Sequence, residues 1–205
     1  PLREGAVIPR EVEGLWFHYQ TQPYLYRDLN FHINAKERFL VVGENGVGKS
    51  TLLKLMMGIQ TPDRGNIRFH PNTDVAYYAQ ELEQLDLQKT VLENVSAQGC
   101  TMKQLRSVLS NFLFYEDDIN KKAEVLSPGE KARIALCRIL LQKANFLILD
   151  EPTNHLDPET QEVIGRNFRR FEGTIMVVSH NRRFVEQIGI NRVLRLPSGR
   201  VEDYH

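Results

Sequence analysis

The sequence predicts an α/β fold built on a mostly parallel core sheet with helices covering both faces. Three observations carry that prediction. Residues 43–51 read Gly-Glu-Asn-Gly-Val-Gly-Lys-Ser-Thr, a phosphate-binding loop set between an apolar strand at 39–42 and a helix. Residues 146–149 form a second unpatterned apolar strand, and it ends in Asp150-Glu151. Around both, short apolar strands alternate with helical patterns, as in sheets buried on their two faces.

Taken in order, residues 1–10 show no periodicity and read as the tail of a linker, which leaves 11–205 as one domain. Residues 12–19 and 29–34 alternate apolar and polar positions, as half-buried strands do. The helix after the phosphate loop spans about 49–58 and stops at Gly58. Thr61-Pro-Asp-Arg-Gly65 is a turn, followed by short strands near 67–69 and 75–78. Residues 90–124 are helical in pattern, with apolar spacing at Val91, Leu92 and Val95 and again at Met102, Leu105, Val108, Leu109 and Phe112. They make a small helical lobe, about 84–128, inserted between strands. A helix at 129–142, the strand at 146–150, a helix at 158–171 and a strand at 175–178 follow. A helix at 181–188 and a hairpin through Pro197-Ser-Gly199 close the chain.

Composition excludes several classes. With 205 residues, 41% of them hydrophobic and 25% charged, the chain reads as a soluble globular domain. No apolar run approaches the roughly 18–20 residues of a membrane span, and no signal-peptide pattern opens the chain. Cys100 and Cys137 offer neither a C-x-x-C pair nor a metal spacing and fit a reduced, cytoplasmic protein. Basic and acidic residues number 26 each, so no net field draws nucleic acid. Beyond residue 160 every lysine-or-arginine position is arginine: Arg166, Arg169, Arg170, Arg182, Arg183, Arg192, Arg195 and Arg200. These are either a solvated surface or a phosphate-contacting face.

The loop sets the chemistry. Backbone N–H groups of Gly43, Glu44, Asn45, Gly46, Val47 and Gly48 would wrap phosphates, because glycines accept the required dihedrals and place no Cβ in the way. Lys49 would reach the β- and γ-phosphates, Ser50 would bind Mg²⁺, and the helix holding Ser50 and Thr51 would point its positive end at the anion. Asp150 arrives at the sheet's C-terminal edge, where open α/β folds bind ligands, to hold the Mg²⁺ shell. Glu151 would polarise an attacking water. Ser127, Pro128 and Glu130 in Leu126-Ser-Pro-Gly-Glu130 also make a capping box, so that segment reads equally as a plain helix start.

Together these motifs resemble the nucleotide-binding domain of the ATP-binding-cassette family, a P-loop NTPase fold with an antiparallel β subdomain and a helical subdomain. The resemblance runs from about residue 12 to the C-terminus. It implies ATP hydrolysis with Mg²⁺. It implies that Ser127 and Gly129 of the signature segment grip the γ-phosphate of ATP held by an opposing cassette. Gln80, in Tyr77-Tyr-Ala-Gln80, would sense Mg²⁺ and the water; Asp157, in Asn154-His-Leu-Asp157, would cross the dimer interface; His180 would be the switch histidine. Tyr19 stands where an aromatic stacks on adenine, with Tyr24 and Tyr26 as weaker candidates. Glu130-Lys131 and Asn154-His155 resemble the ABC-F subfamily, whose soluble proteins carry two cassettes and act on ribosomes. Two departures stand out: Pro128 replaces a glycine, removing one N–H, and Lys36-Glu37 replaces the common Gly-Glu turn. The resemblance therefore implies a single cassette of a longer chain, with a second cassette and the ribosome as partners, in translation or antibiotic protection. The alternative is the ATPase subunit of a membrane transporter, partnered by a permease. A chromosome- or repair-type ATPase is excluded, since residues 80–127 hold no long heptad stretch.

Overall fold

Two sheets organise the residues described by a computed structural model, which are 10–79, 85–96 and 99–205. The smaller is antiparallel and pairs β1 (Arg10–Phe17) with β2 (Tyr26–Ile33) on one side and β4 (Arg64–Arg68) on the other. Its alternation is that of a half-buried sheet: Val12, Leu15, Phe17, Tyr26, Leu29, Phe31 and Ile33 point inward and are buried. The larger sheet comprises β3 (Arg38–Val42), β5 (Val75–Ala79), β6 (Phe146–Asp150), β7 (Thr174–Val178), β8 (Arg192–Arg195) and β9 (Arg200–Asp203). Its spatial order is β5-β6-β7-β3-β8-β9, parallel throughout except for the terminal β8-β9 hairpin.

Because its central strands are covered on both sides, their consecutive residues feed two different cores. Phe39, Val41, Phe146, Ile148, Met176 and Val178 face one core, shared with the small sheet and with α1 (Lys49–Met56). Leu40, Leu147, Leu149, Ile175 and Val177 face the other, shared with α4 (Pro128–Leu141), α5 (Pro158–Arg169) and α6 (Arg182–Ile188). Each such side chain contributes about 1.5–3 kcal/mol on burial, so this double-sided packing fixes the sheet order.

Between β5 and α4 lie α2 (Val91–Val95), α3 (Met102–Asn111) and a 3-10 turn at Ala123–Val125. The 90–124 stretch is a small lobe of two short helices and a turn. Thr90 and Thr101 each cap their helix through a reciprocal box, with Glu93 and Gln104 respectively. Leu109 anchors α3, and Val91 and Val95 anchor α2, to the α4 side of the core.

Element boundaries shift by up to three residues from the sequence pattern: β1 runs Arg10–Phe17 rather than 12–19, α1 ends at Met56, and β2 and β4 start earlier. β2 starts at Tyr26, three residues before the alternation predicts, because Tyr26 is drawn wholly inside. β4 starts at Arg64 rather than 67, since Trp16 pairs with Arg64 and the Asp63 N–H donates to the Trp16 carbonyl (2.8 Å), shortening the turn. The predicted linker tail, residues 1–10, lies outside the described residues except for Arg10, which instead opens β1. Among the described residues no helix is long and apolar enough to cross a membrane.

Arg38, at the start of β3, ties the helical layer to the sheet. Its guanidinium donates to the carbonyls of Phe168 (3.0 Å), Ile188 (2.7 Å), Arg169 (3.0 Å) and Phe171, at the C-terminal ends of α5 and α6. Helix C-termini carry partial negative charge and carbonyls without intrahelical donors, so one cation serves two helices. Arg38→Ala is expected to lower unfolding free energy by about 2–4 kcal/mol, read by urea denaturation. Arg38→Lys should recover less than half, because an ammonium does not present the planar fork. Equal stability of Arg38→Lys and the native chain would show that charge alone suffices.

Candidate functional site

The parallel register brings three strand ends to one edge. Val41 pairs with Val178, and Asp150 also pairs with Val178, so β7 lies between the strand feeding the phosphate loop and the strand ending in Asp150-Glu151. A cleft of about 380 Å³ opens there, lined by Tyr19, Asn45, Gly46, Gly48, Lys49, Ser50, Thr51, Glu151 and His180, together with Gln22, Leu25 and Val178.

Backbone geometry makes the loop. Gly46 and Gly48 adopt φ of +81° and +96°, a region that favours glycine, and Gly48 is the N-cap of α1. A Cβ on Gly48 would sit 2.6 Å from the Tyr26 hydroxyl, which donates a hydrogen bond to the Gly48 carbonyl. Burial holds the Tyr26 phenol well above its ordinary value, followed in effect by Tyr19 nearby, so it remains a proton donor. Tyr26 thus supports the loop from beneath and presents no face for a base. Lys49 spans the loop, its ammonium donating to the Gly43 carbonyl (2.7 Å). Gly43, Glu44 and Val47 complete the turn, with the Val47 N–H bonded to the Glu44 carbonyl (3.1 Å).

One hundred residues apart in the chain, the Ser50 hydroxyl donates to Asp150 Oδ1 at 3.1 Å. A hydroxyl and a carboxylate side by side are the hard oxygen donors that Mg²⁺ takes, so this pair fits that ion. Glu151, with φ +46°, is held by its N–H on the Val178 carbonyl (2.8 Å). That turn aims its carboxylate at His180: Oε1 lies 3.2 Å from Nε2, and Oε2 accepts from the His180 backbone N–H (3.4 Å). Burial pushes the Glu151 carboxyl above its ordinary value; His180 and Lys49 pull it down and Asp150 adds to the rise.

Tyr19 edges onto Phe17 (4.8 Å between ring centres), and its hydroxyl lies 3.0 Å from the Thr51 hydroxyl, at the mouth of the cleft. Tyr24 does not line the cleft: it packs edge-on against Trp16 on the outer face of the small sheet. Gln80 lies outside the described residues.

Ser127, Gly129 and Asp157 are not brought to this cleft. Ser127 caps α4 in the reciprocal box with Glu130 (Glu130 N to Oγ 3.2 Å, Ser127 N to Glu130 Oε2 2.7 Å). A Cβ on Gly129 would lie 2.9 Å from the His155 carbonyl, and His155 itself has φ +69°. The 126–130 segment therefore packs directly on residues 154–157. Asp157 caps α5, accepting from the Thr160 N–H (3.0 Å) and hydroxyl (2.5 Å), which hold its carboxyl below the usual range. Six of the eight C-terminal arginines are ion-paired, with Glu162, Glu186, Glu37 and Glu202 among their partners, as on a solvated surface. Gln22 and Leu25 line the cleft and were missed as site residues, with nothing in the sequence to mark them; Tyr26, a weaker candidate for the adenine, supports the loop instead.

Comparison with known proteins agrees with this geometry. The profile of the ABC transporter family matches residues 26–154. YdiF of Bacillus subtilis is 45% identical over 94% of this chain and 30% of its own length. ABC transporter F family member 5 of Arabidopsis thaliana is 39% identical over 94% of this chain and 28% of its own. The chain thus spans about a third of the length of the curated relatives it matches. Among solved structures, the ATP-binding cassette MJ0796, a dimer in a post-hydrolysis state bound to ADP and Pi, superposes with a TM-score of 0.76 at 22% identity. That match covers 96% of this chain and 99% of the other.

Two outcomes follow from the site as built. Tyr26→Phe removes the donor to Gly48 and should weaken nucleotide affinity about 3–10-fold, as the loss of one buried hydrogen bond does; undiminished affinity would show that the loop holds its shape without it. For Glu151, a carboxyl raised in the folded state opposes folding once ionised. That penalty is absent below its ordinary value near pH 4.3 and grows as pH rises. Glu151→Gln should therefore raise the nucleotide-free melting temperature by about 1–3 °C at pH 7, with the gap closing near pH 4. A pH-independent difference would contradict the assignment.

Proposed function

Since the chain belongs to the ATP-binding-cassette family and resembles cassettes of its F subfamily, we propose that it binds and hydrolyses Mg·ATP as one half of a two-cassette switch acting on the ribosome. The observation that carries this is the Ser50–Asp150 pair at 3.1 Å beside the Glu151–His180 pair at 3.2 Å, both at the rim of one phosphate loop.

The loop amides and Lys49 bind the phosphates, while Tyr19 offers its ring to the adenine at the cleft mouth. Ser50 and Asp150, with Gln80, would hold Mg²⁺, which would neutralise charge on the phosphate oxygens. Glu151 accepts a proton from, and orients, the attacking water; His180 then exchanges its carboxylate contact for the γ-phosphate. The raised Glu151 carboxyl suits a base, since a pKa nearer the working pH makes proton uptake less costly.

Ser127 and Gly129 complete the site of a second cassette, and Asp157 lies at the contact between the two. A single chain does not complete its own site, because residues 126–130 and 154–157 pack on each other away from the cleft. A second cassette in the same parent chain agrees with the length of the relatives, of which this chain spans about a third. On this reading residues 11–205 form one cassette, with its helical subdomain at about 84–128. We place the reaction in the cytoplasm, with ribosomes.

Lys49→Ala should weaken ATP binding at least 10-fold, about 1.4 kcal/mol or more, by fluorescent-nucleotide titration; unchanged binding would overturn the loop assignment. In the parent chain, Glu151→Gln should retain ATP and pellet with ribosomes in an ATP-dependent manner. Undiminished turnover would remove Glu151 from the mechanism. ATP binding without pelleting, with copurification of a permease, would make the protein a transporter subunit.

A further inference from the structure

Three residues that line the cleft, Tyr19, Gln22 and Leu25, come from the loop that joins β1 to β2, residues 18–25. The remaining lining residues belong to the phosphate loop and α1 or to the ends of β6 and β7. Those elements already provide for phosphates, metal and water. The 18–25 loop is therefore left to meet the base.

That loop is braced from several sides. The Gln22 backbone N–H donates to the Tyr19 carbonyl (2.7 Å), and the Leu25 N–H donates to the Phe17 carbonyl (2.9 Å). Pro23 fixes its own φ and biases Gln22 towards extended backbone. Tyr24 packs edge-on against Trp16, with ring centres 5.4 Å apart. Leu25 lies against Gly48, where an added Cβ would meet Leu25 Cδ1 at 3.2 Å. With the backbone held, only the side-chain rotamers of Gln22 remain to be ordered by a ligand.

Most polar side chains around Gln22 are engaged. The Tyr19 hydroxyl lies 3.0 Å from that of Thr51, Ser50 donates to Asp150 (3.1 Å), Glu151 meets His180 (3.2 Å) and Lys49 donates to the Gly43 carbonyl (2.7 Å). Gln22 is exposed, and its amide makes no hydrogen bond within the described residues. Asn45 shares that freedom but sits among the loop amides proposed to take phosphate. A side-chain amide offers an acceptor and a donor side by side. Adenine presents the complement, a 6-amino donor flanked by ring-nitrogen acceptors, and glutamine pairs with it in that bidentate way.

We propose that Gln22 selects the base of the bound nucleotide. Its side-chain carbonyl accepts from the 6-amino group of adenine, and its side-chain N–H donates to the adjoining ring nitrogen. Resting on the nucleotide reading of the cleft, this adds a residue that recognises the base and takes no part in the chemistry. Stacking on Tyr19 does not supply that selection, because every base has a π-face.

Two triphosphates that differ only in the 6-amino group test this. Displacement of a ribose-labelled fluorescent ATP, with Mg²⁺ present, gives the affinities of ATP and of purine riboside triphosphate, which lacks that group. The native chain should hold ATP about 3–10-fold tighter, as one hydrogen-bonded contact permits. Gln22→Ala should weaken ATP by that factor, leave purine riboside triphosphate unchanged and bring the ratio close to one. A native ratio already close to one, or a ratio that Gln22→Ala leaves intact, would overturn the proposal. Equal weakening of both nucleotides would also overturn it, since Gln22 would then act by holding the loop. Failure of the underlying reading looks different: a native chain that does not bind the labelled ATP loses the nucleotide site itself, and base selection with it.

Discussion

Everything at the ATP site depends on β7 lying between β3 and β6. This fully buried strand shares Val178 with both neighbours, so Gly43, Asp150-Glu151 and Ser179-His180 emerge side by side at one sheet edge. Parallel hydrogen bonding alone would tolerate other orders. The two-sided packing selects this one, because Met176 and Val178 must meet α1 and the small sheet while Ile175 and Val177 meet α4, α5 and α6. A slip of one residue would exchange those faces and carry His180 away from Glu151.

Around that edge, the groups proposed to act on ATP are positioned by backbone shape as much as by side-chain contact. Gly48 accepts the left-handed turn that starts α1, and Tyr26 braces it from below. Glu151 adopts positive φ without being glycine, a conformation held by its N–H on Val178 and useful because it turns the carboxylate toward His180. The same device recurs at His155, whose carbonyl faces Gly129. The two segments proposed to touch a second cassette are therefore joined to each other, and a displacement of one would be felt by the other.

Much of this was legible in the sequence, for identifiable reasons. The phosphate loop and the Asp150-Glu151 strand end are local patterns whose dihedral and burial demands are written in consecutive residues. The capping box at Ser127 and Glu130 is equally local and appears as read. The start of β2 was not legible, because Tyr26 reads as polar in the alternation although its ring is the most deeply placed part of the loop's support. Arg38 offered no signal at all: its value comes from carbonyls at positions 168, 169, 171 and 188.

By itself, then, the amino-acid order determined the nucleotide chemistry, the α/β class and the kinship with ATP-binding cassettes, since each rests on short contiguous motifs. Tertiary structure alone decided which residues meet. It put Ser50 on Asp150 across a hundred residues, turned Glu151 to His180, and moved Tyr26 under the loop and Tyr24 out to Trp16. Those contacts arise from sheet order and from which face of a strand is buried, and both are set by the summed packing of distant side chains rather than by any local run of residues.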